Sequence, residues 1–280
     1  MSQTCTDAVA LSLKRLKQNM PLFLGSSYLA LLFVLLRQSD RPEVSSVTGL
    51  FLVTLLYCWW DTGQLTNNPK SEIGAIATAI GINLWLILKA WGYGEDEAFL
   101  RLLPFLSLTN WGLLCYGWQS FRIFRSGFFL LGFLAFPWEI IYVIVDLSLL
   151  TAKFTHLILF SVGLQAERIG TLIRLGTGTI EVYHGCSGLK MILQLVGFSL
   201  IYLVLNPFHW RKTSIFLGGA IAIGFLLNGM RVAMMAVLVS LGDEAAFDYW
   251  HLGTGSLIFS VIGLGALALW GWQVQQWQNV

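Results

Sequence analysis

Apolar stretches close to bilayer-spanning length recur along nearly the whole chain, with short polar runs between them. The candidate spans fall near 21–37, 44–60, 72–91, 98–118, 127–150, 187–205, 213–240 and 256–273. A helix of about 20 apolar residues crosses a hydrocarbon core of ~30 Å, because no backbone polar group can go unpaired in lipid. Barrel strands would be about half as long and would alternate in polarity. The expected fold is therefore an all-α integral membrane protein, a polytopic bundle of about eight transmembrane helices. Composition agrees: 56% of residues are hydrophobic and 11% charged, against roughly 25% charged in a soluble domain. The 12 Trp and 8 Tyr suit interfacial belts. A net charge of +2 gives no reason to expect a nucleic-acid partner; the surroundings to expect are membrane lipids.

The Lys/Arg distribution sets the orientation. With a cytoplasmic N-terminus, Lys14, Arg15, Lys17, Lys70, Arg122, Arg125, Arg211 and Lys212 all fall in cytoplasmic segments. The opposite side then holds Asp40, Glu43, Glu95, Asp96, Glu97, Asp243, Glu244 and Asp248, with a minority of basic residues. Both termini are expected inside. The first apolar stretch has a basic patch before it but no small-residue cleavage site after it, so it reads as a retained anchor. The segment from Thr151 to Thr179 differs from the spans. It mixes Lys153, His156, Glu167, Arg168 and Arg174 with leucines and isoleucines, as an amphipathic helix on the outer interface would. The Gly176-Thr177-Gly178 turn then leads into a strand-like piece before Cys186. This suggests a front half at 1–150 and a functional half at 151–280, within one integrated membrane domain.

Four cysteines, Cys5, Cys58, Cys115 and Cys186, form no CxxC pair and no zinc-type spacing; neither a metal nor a cofactor is expected. Cys58 and Cys115 lie inside apolar segments. Cys186 lies between Gly185 and Gly188 at the start of an apolar helix. Helix N-terminal N–H groups and the helix dipole favour a thiolate there, so it reads as a nucleophile. Two further polar features fall at the same depth. Asn228 and Arg231 share a face of the next helix, and Arg231 lies roughly 27 Å along it from Thr213 at about 1.5 Å per residue. His251 stands where the outer loop meets the last span. A thiol, an imidazole and a cation make an acyl-transfer set. The thiolate attacks a carbonyl, the imidazole moves the proton, and the guanidinium stabilises an oxyanion or a substrate carboxylate.

These residues make three boxes in order: Cys186-Ser187-Gly188-Leu189-Lys190, Asn228-Gly229-Met230-Arg231 and His251-Leu252-Gly253. Over roughly residues 150–272 the chain resembles the exosortase/archaeosortase family of integral-membrane cysteine transpeptidases. Gly185 and Lys190 depart from the commonest form of the first box and look more like the cyanobacterial branch, the cyanoexosortases. The resemblance implies a protein-sorting enzyme of the plasma membrane with its site on the outer face. Its substrates would be exported proteins ending in a short motif, a transmembrane helix and a basic tail, of the PEP-CTERM kind. It further implies Cys186 as nucleophile through a thioester, His251 as general acid/base, Arg231 as the third member, and an acceptor nucleophile that releases the acyl group.

Other residues compete for these roles. His184 lies two residues from Cys186, on the same face of an extended stretch, and is an alternative base. Lys190, one turn into the helix, could lower the thiol pKa or hold substrate. Glu139 and Asp146 share a face of the fifth span; intramembrane acids are functional candidates by default, so a transporter using them is the rival class, and a non-catalytic scaffold a third. Small-residue faces at Gly218, Gly219 and Gly224 could receive a substrate helix.

Overall fold

The computed structural model describes residues 42–61, 72–93, 97–251 and 255–277. The span expected at 21–37 lies outside them, as do Lys14, Arg15, Lys17, Asp40, Lys70, Glu95, Asp96 and Gly253. The chain divides into two compact units, 1–137 and 138–280; the sequence suggested a division at 150/151.

The first unit contains α1 (Pro42–Asp61), α2 (Ile73–Tyr93), α3 (Glu97–Tyr116), α4 (Ser120–Ile123) and α5 (Arg125–Ala135). Leu86 of α2 packs on Phe99, Leu100 and Leu103 of α3. At the other end of α3, Trp111, Tyr116 and Phe124 stack with centroids 5.1–6.1 Å apart. Outward-facing Ile80, Leu84, Ile87 and Leu88 of α2 are exposed. That surface would be unfavourable in water and is ordinary against lipid.

The second unit contains α6 (Trp138–Ile144), α7 (Ser148–Ser161), β1 (Ala166–Ile169), β2 (Leu172–Leu175), β3 (Gly178–Glu181), α8 (Leu189–Leu205), α9 (Trp210–Ser240), α10 (Glu244–His251) and α11 (Gly255–Gln276). Among the described residues, three stretches are long and apolar enough to cross a membrane: Ala98–Ile123, Trp210–Ser240 and Gly255–Gln276. Shorter apolar helices include Arg125–Ala135, Ser148–Ser161 and Leu189–Leu205.

Two expectations are corrected here. The single span at 127–150 is broken into α5, α6 and the start of α7. Phe136 is extended because Pro137 follows it, and Asp146 Oδ1 accepts the Ser148 N–H at 2.8 Å, starting a new helix. The fold is mostly helical, as expected, but not wholly so: residues 166–181 form a three-stranded antiparallel sheet in the order β1-β2-β3 instead of an interfacial helix. Gly170 (φ 64) and Gly176 (φ 57) supply the left-handed backbone of its two tight turns. Glu167 and Arg174 sit opposite each other across β1 and β2, their side chains 3.9 Å apart. On the other face Ile173 and Leu175 are buried against Ala152 and Leu159 of α7 and Val232 and Met235 of α9.

α9 is the axis of the second unit. Its 31 residues reach roughly 46 Å, longer than a ~30 Å hydrocarbon core. Its lower part packs on α8 and α11 through Leu195, Phe216, Ala220 and Leu267, and its last turns carry the sheet. Two of the three glycines considered as a substrate-helix surface already serve internal packing. A Cβ on Gly224 would come within 2.9 Å of the Ile192 backbone, and one on Gly219 would strike the Trp270 indole, while Gly218 faces open space. Gly224→Ala is therefore expected to lower stability by about 1–3 kcal/mol, whereas Gly218→Ala leaves it unchanged; thermal unfolding of the two variants in detergent checks this.

Candidate active site

The Cys186 box is a tight corner held from three sides. β3 runs into a 3-10 turn, His184–Cys186, in which the Cys186 N–H donates to the Tyr183 carbonyl at 2.9 Å. The Ser187 hydroxyl and N–H both donate to the His184 carbonyl, at 2.7 and 3.2 Å. Gly188 then turns the chain into α8 with φ 90, and a Cβ there would lie 2.8 Å from the Asn228 amide. Only glycine meets both conditions. The Asn228 amide donates to the Cys186 carbonyl at 2.9 Å, and the Thr151 hydroxyl donates to the Ser187 carbonyl at 2.7 Å. Both side chains are buried.

His251 ends α10, and its Nε2 lies 3.5 Å from Cys186 Sγ. The imidazole packs on Phe247, one turn earlier, with centroids 5.0 Å apart. Arg231 holds it in place through the backbone: the Nε donates to the Trp250 carbonyl at 3.3 Å, and a terminal nitrogen to the His251 carbonyl at 2.7 Å. A cation on the last carbonyls of a helix is a favourable cap. Of the sequence candidates, the fold thus brings Cys186, Asn228, Arg231 and His251 together, with Ser187 and Gly188 shaping the corner.

Other candidates sit elsewhere. His184 Nε2 lies 3.8 Å from Asp146 Oδ2, and both side chains are about half exposed. With Oδ1 on the Ser148 N–H, Asp146 is engaged at the start of α7 and lies beside a surface histidine. The Glu139 side chain lies outside the described residues. Lys190 is exposed on the first turn of α8, and the cation that acts on the thiol is Arg231.

Tyr183 is the participant that sequence reasoning missed. Its hydroxyl lies 3.4 Å from His251 Nε2, and it acts on the Cys186 thiol, drawing its pKa down. Residues three apart in a 3-10 turn share a side, which brings the phenol over the cysteine. The signal was present in Gly185, where a Cβ would come within 2.6 Å of the Tyr183 ring. Tyr183, Cys186 and His251 border a groove of about 500 Å³ whose apolar wall is Val232, Met235 and Phe247.

The family model for transmembrane exosortases (Exosortase_EpsH) matches residues 18–268, nearly the whole chain. The chain belongs to the transmembrane exosortase family. Membership makes it a membrane protein with a sorting role of the transpeptidase type, acting on exported proteins that carry sorting signals. No curated protein and no solved structure matches it.

The electrostatics of this exosortase-family site correct one expectation. The helix start was expected to favour the thiolate, yet Cys186 is only 9% exposed, and burial pushes its thiol above the ordinary value, against the opposing pull of the Tyr183 hydroxyl and Arg231. Burial, and then the Arg231 charge, push His251 below its usual value, and Asp248 works weakly against them. The Tyr183 hydroxyl is pushed up, first by Cys186 and then by burial. The resting site is thus a neutral thiol beside a neutral imidazole. Alkylation of Cys186 by a small thiol reagent is expected to rise with pH around a midpoint above that of free cysteine, roughly 8.5. Tyr183→Phe and Arg231→Gln each remove a group that lowers the thiol pKa, so each should move the midpoint higher. A plateau of full reactivity at pH 6 would contradict this.

Proposed function

We propose that the chain is a membrane-embedded cysteine protease-transpeptidase that cleaves C-terminal sorting signals of exported proteins through a thioester on Cys186. The observation that carries this reading is the 3.5 Å approach of Cys186 Sγ to His251 Nε2 from two elements far apart in sequence, in a transmembrane exosortase-family chain. The charge pattern supports a site on the outer face of the plasma membrane with both termini cytoplasmic. The sorting signal is of the PEP-CTERM kind, with a short motif, a transmembrane helix and a basic tail.

A neutral thiol near a neutral imidazole supports attack with concerted proton transfer. Sγ bonds to the scissile carbonyl carbon as Nε2 takes the thiol proton. For this, His251 carries its own proton on Nδ1. The tetrahedral oxyanion is stabilised by the Arg231 charge and the Tyr183 hydroxyl, in a site where burial strengthens both. The imidazolium then protonates the leaving amine as the C–N bond breaks, leaving the upstream protein as a thioester. An acceptor nucleophile, its proton taken by His251, releases the acyl group. Arg231 has a second role through its bonds to the Trp250 and His251 carbonyls, which position the base.

The test is co-expression with a reporter bearing such a C-terminal segment. Cys186→Ala should insert and fold normally yet leave the reporter uncut, and normal processing by that variant would sink the reading. His251→Ala should slow processing roughly 10²–10⁴-fold, while His184→Ala should process normally. If His184→Ala alone stops acyl-enzyme formation, the base is His184.

A further inference from the structure

Three consecutive residues of β3, Thr179, Ile180 and Glu181, line the same groove as Cys186. Successive side chains of a strand point to opposite faces, so a cavity that meets three in a row runs along the strand's edge. β3 is one of the two edge strands of the sheet. The register pairs Ile180 with Ile173, and the Val182 N–H donates to the Thr171 carbonyl at 3.0 Å. In an antiparallel ladder, residues alternate between bonding inward and facing out. Gly178, Ile180 and Val182 therefore spend their main-chain groups on β2, and those of Thr179 and Glu181 point away from it, two residues that both line the groove.

The groove also has a direction. At one end Cys186 lies level with Asn228 of α9, its hydrogen-bond partner, where α8 begins its return along α9. At the other end are Val239, roughly 16 Å further along α9 at about 1.5 Å per residue, and Gly242 just past the end of that helix. There β3 starts tightly against α9, since a Cβ on Gly178 would lie 2.7 Å from the Ser240 nitrogen. The groove thus leads from Cys186 away from the span of α8 and α9 shared with the bilayer.

We infer that the open edge of β3 is the substrate-binding strand: the residues just upstream of the scissile bond lie along it in extended form, parallel to β3, bonded to the Thr179 and Glu181 main chain. The inference rests on the proposed sorting function. In that function the segment downstream of the cut is anchored in the membrane, so only upstream residues can occupy a groove that leads away from it. Such a chain runs from the Gly178 end toward Cys186, the direction of β3 itself, and delivers its carbonyl to Sγ. Main-chain pairing makes little demand on side chains, which suits an enzyme acting on many exported proteins at one signal.

Proline tests this, because Thr179→Pro and Glu181→Pro each remove an N–H that β2 does not use, leaving the ladder intact. With a reporter that the unaltered full-length chain processes, each variant is expected to slow cleavage roughly tenfold while Cys186 alkylation by a small reagent is unchanged. Wild-type processing by both variants, with Cys186→Ala inactive, overturns the edge-strand inference and leaves the cysteine reading standing. Processing by Cys186→Ala overturns the reading itself. Should the proline variants fail to fold, disulfide trapping in Cys186→Ala decides the question. Cysteine in place of Thr179 should capture reporter positions upstream of the cut, further upstream than cysteine in place of Glu181 does. Capture of downstream positions, or the reverse order, overturns the inference.

Discussion

The hydrogen bond from the buried Asn228 amide to the Cys186 carbonyl ties Cys186 to the longest described helix of the second unit. It forms only because Gly188 has no side chain and takes a left-handed backbone, so that the chain turns into α8 directly against Asn228. Losing a partner from a buried carbonyl costs about 1–3 kcal/mol, which makes the corner rigid. Arg231, almost one turn on from Asn228, reaches the carbonyls of Trp250 and His251. One face of α9 thus holds the cysteine through its own carbonyl and the histidine through the end of its helix. In both cases the contact is to the backbone, which leaves the thiol and imidazole to face each other.

That arrangement selects a particular kind of cysteine chemistry. An exposed thiol beside a charged imidazole rests as a thiolate and is prone to oxidation. Here burial holds the thiol protonated and the imidazole neutral. In the proposed mechanism charge develops only when a carbonyl arrives, beside the Arg231 and Tyr183 side chains that act on the thiol. On the proposed mechanism, the site would stabilise the anion along the reaction path more than at rest, which is what acceleration requires.

The sheet shows why parts of the fold escaped sequence reasoning. Its strands are four residues each, too short for a period of two to stand out from a period of 3.6. Glu167, Arg168 and Arg174 imitate the polar face of a helix, although Glu167 and Arg174 are a cross-strand pair. The turn glycines at 170 and 176 were the legible signal. The break at Phe136-Pro137 was legible in the same way and was masked by the apolar residues on both sides.

Alone, the sequence determined the helical membrane character and the order of the three boxes, because hydropathy and motif order are local. It also carried the family. Only the tertiary structure decided that His251 faces the thiol while His184 faces Asp146, that Arg231 grips carbonyls, that Tyr183 joins the pair, and that the thiol is protonated at rest. Each of these depends on a distance between segments remote in the chain, or on how much water the packed elements exclude, and neither quantity exists until the helices have packed.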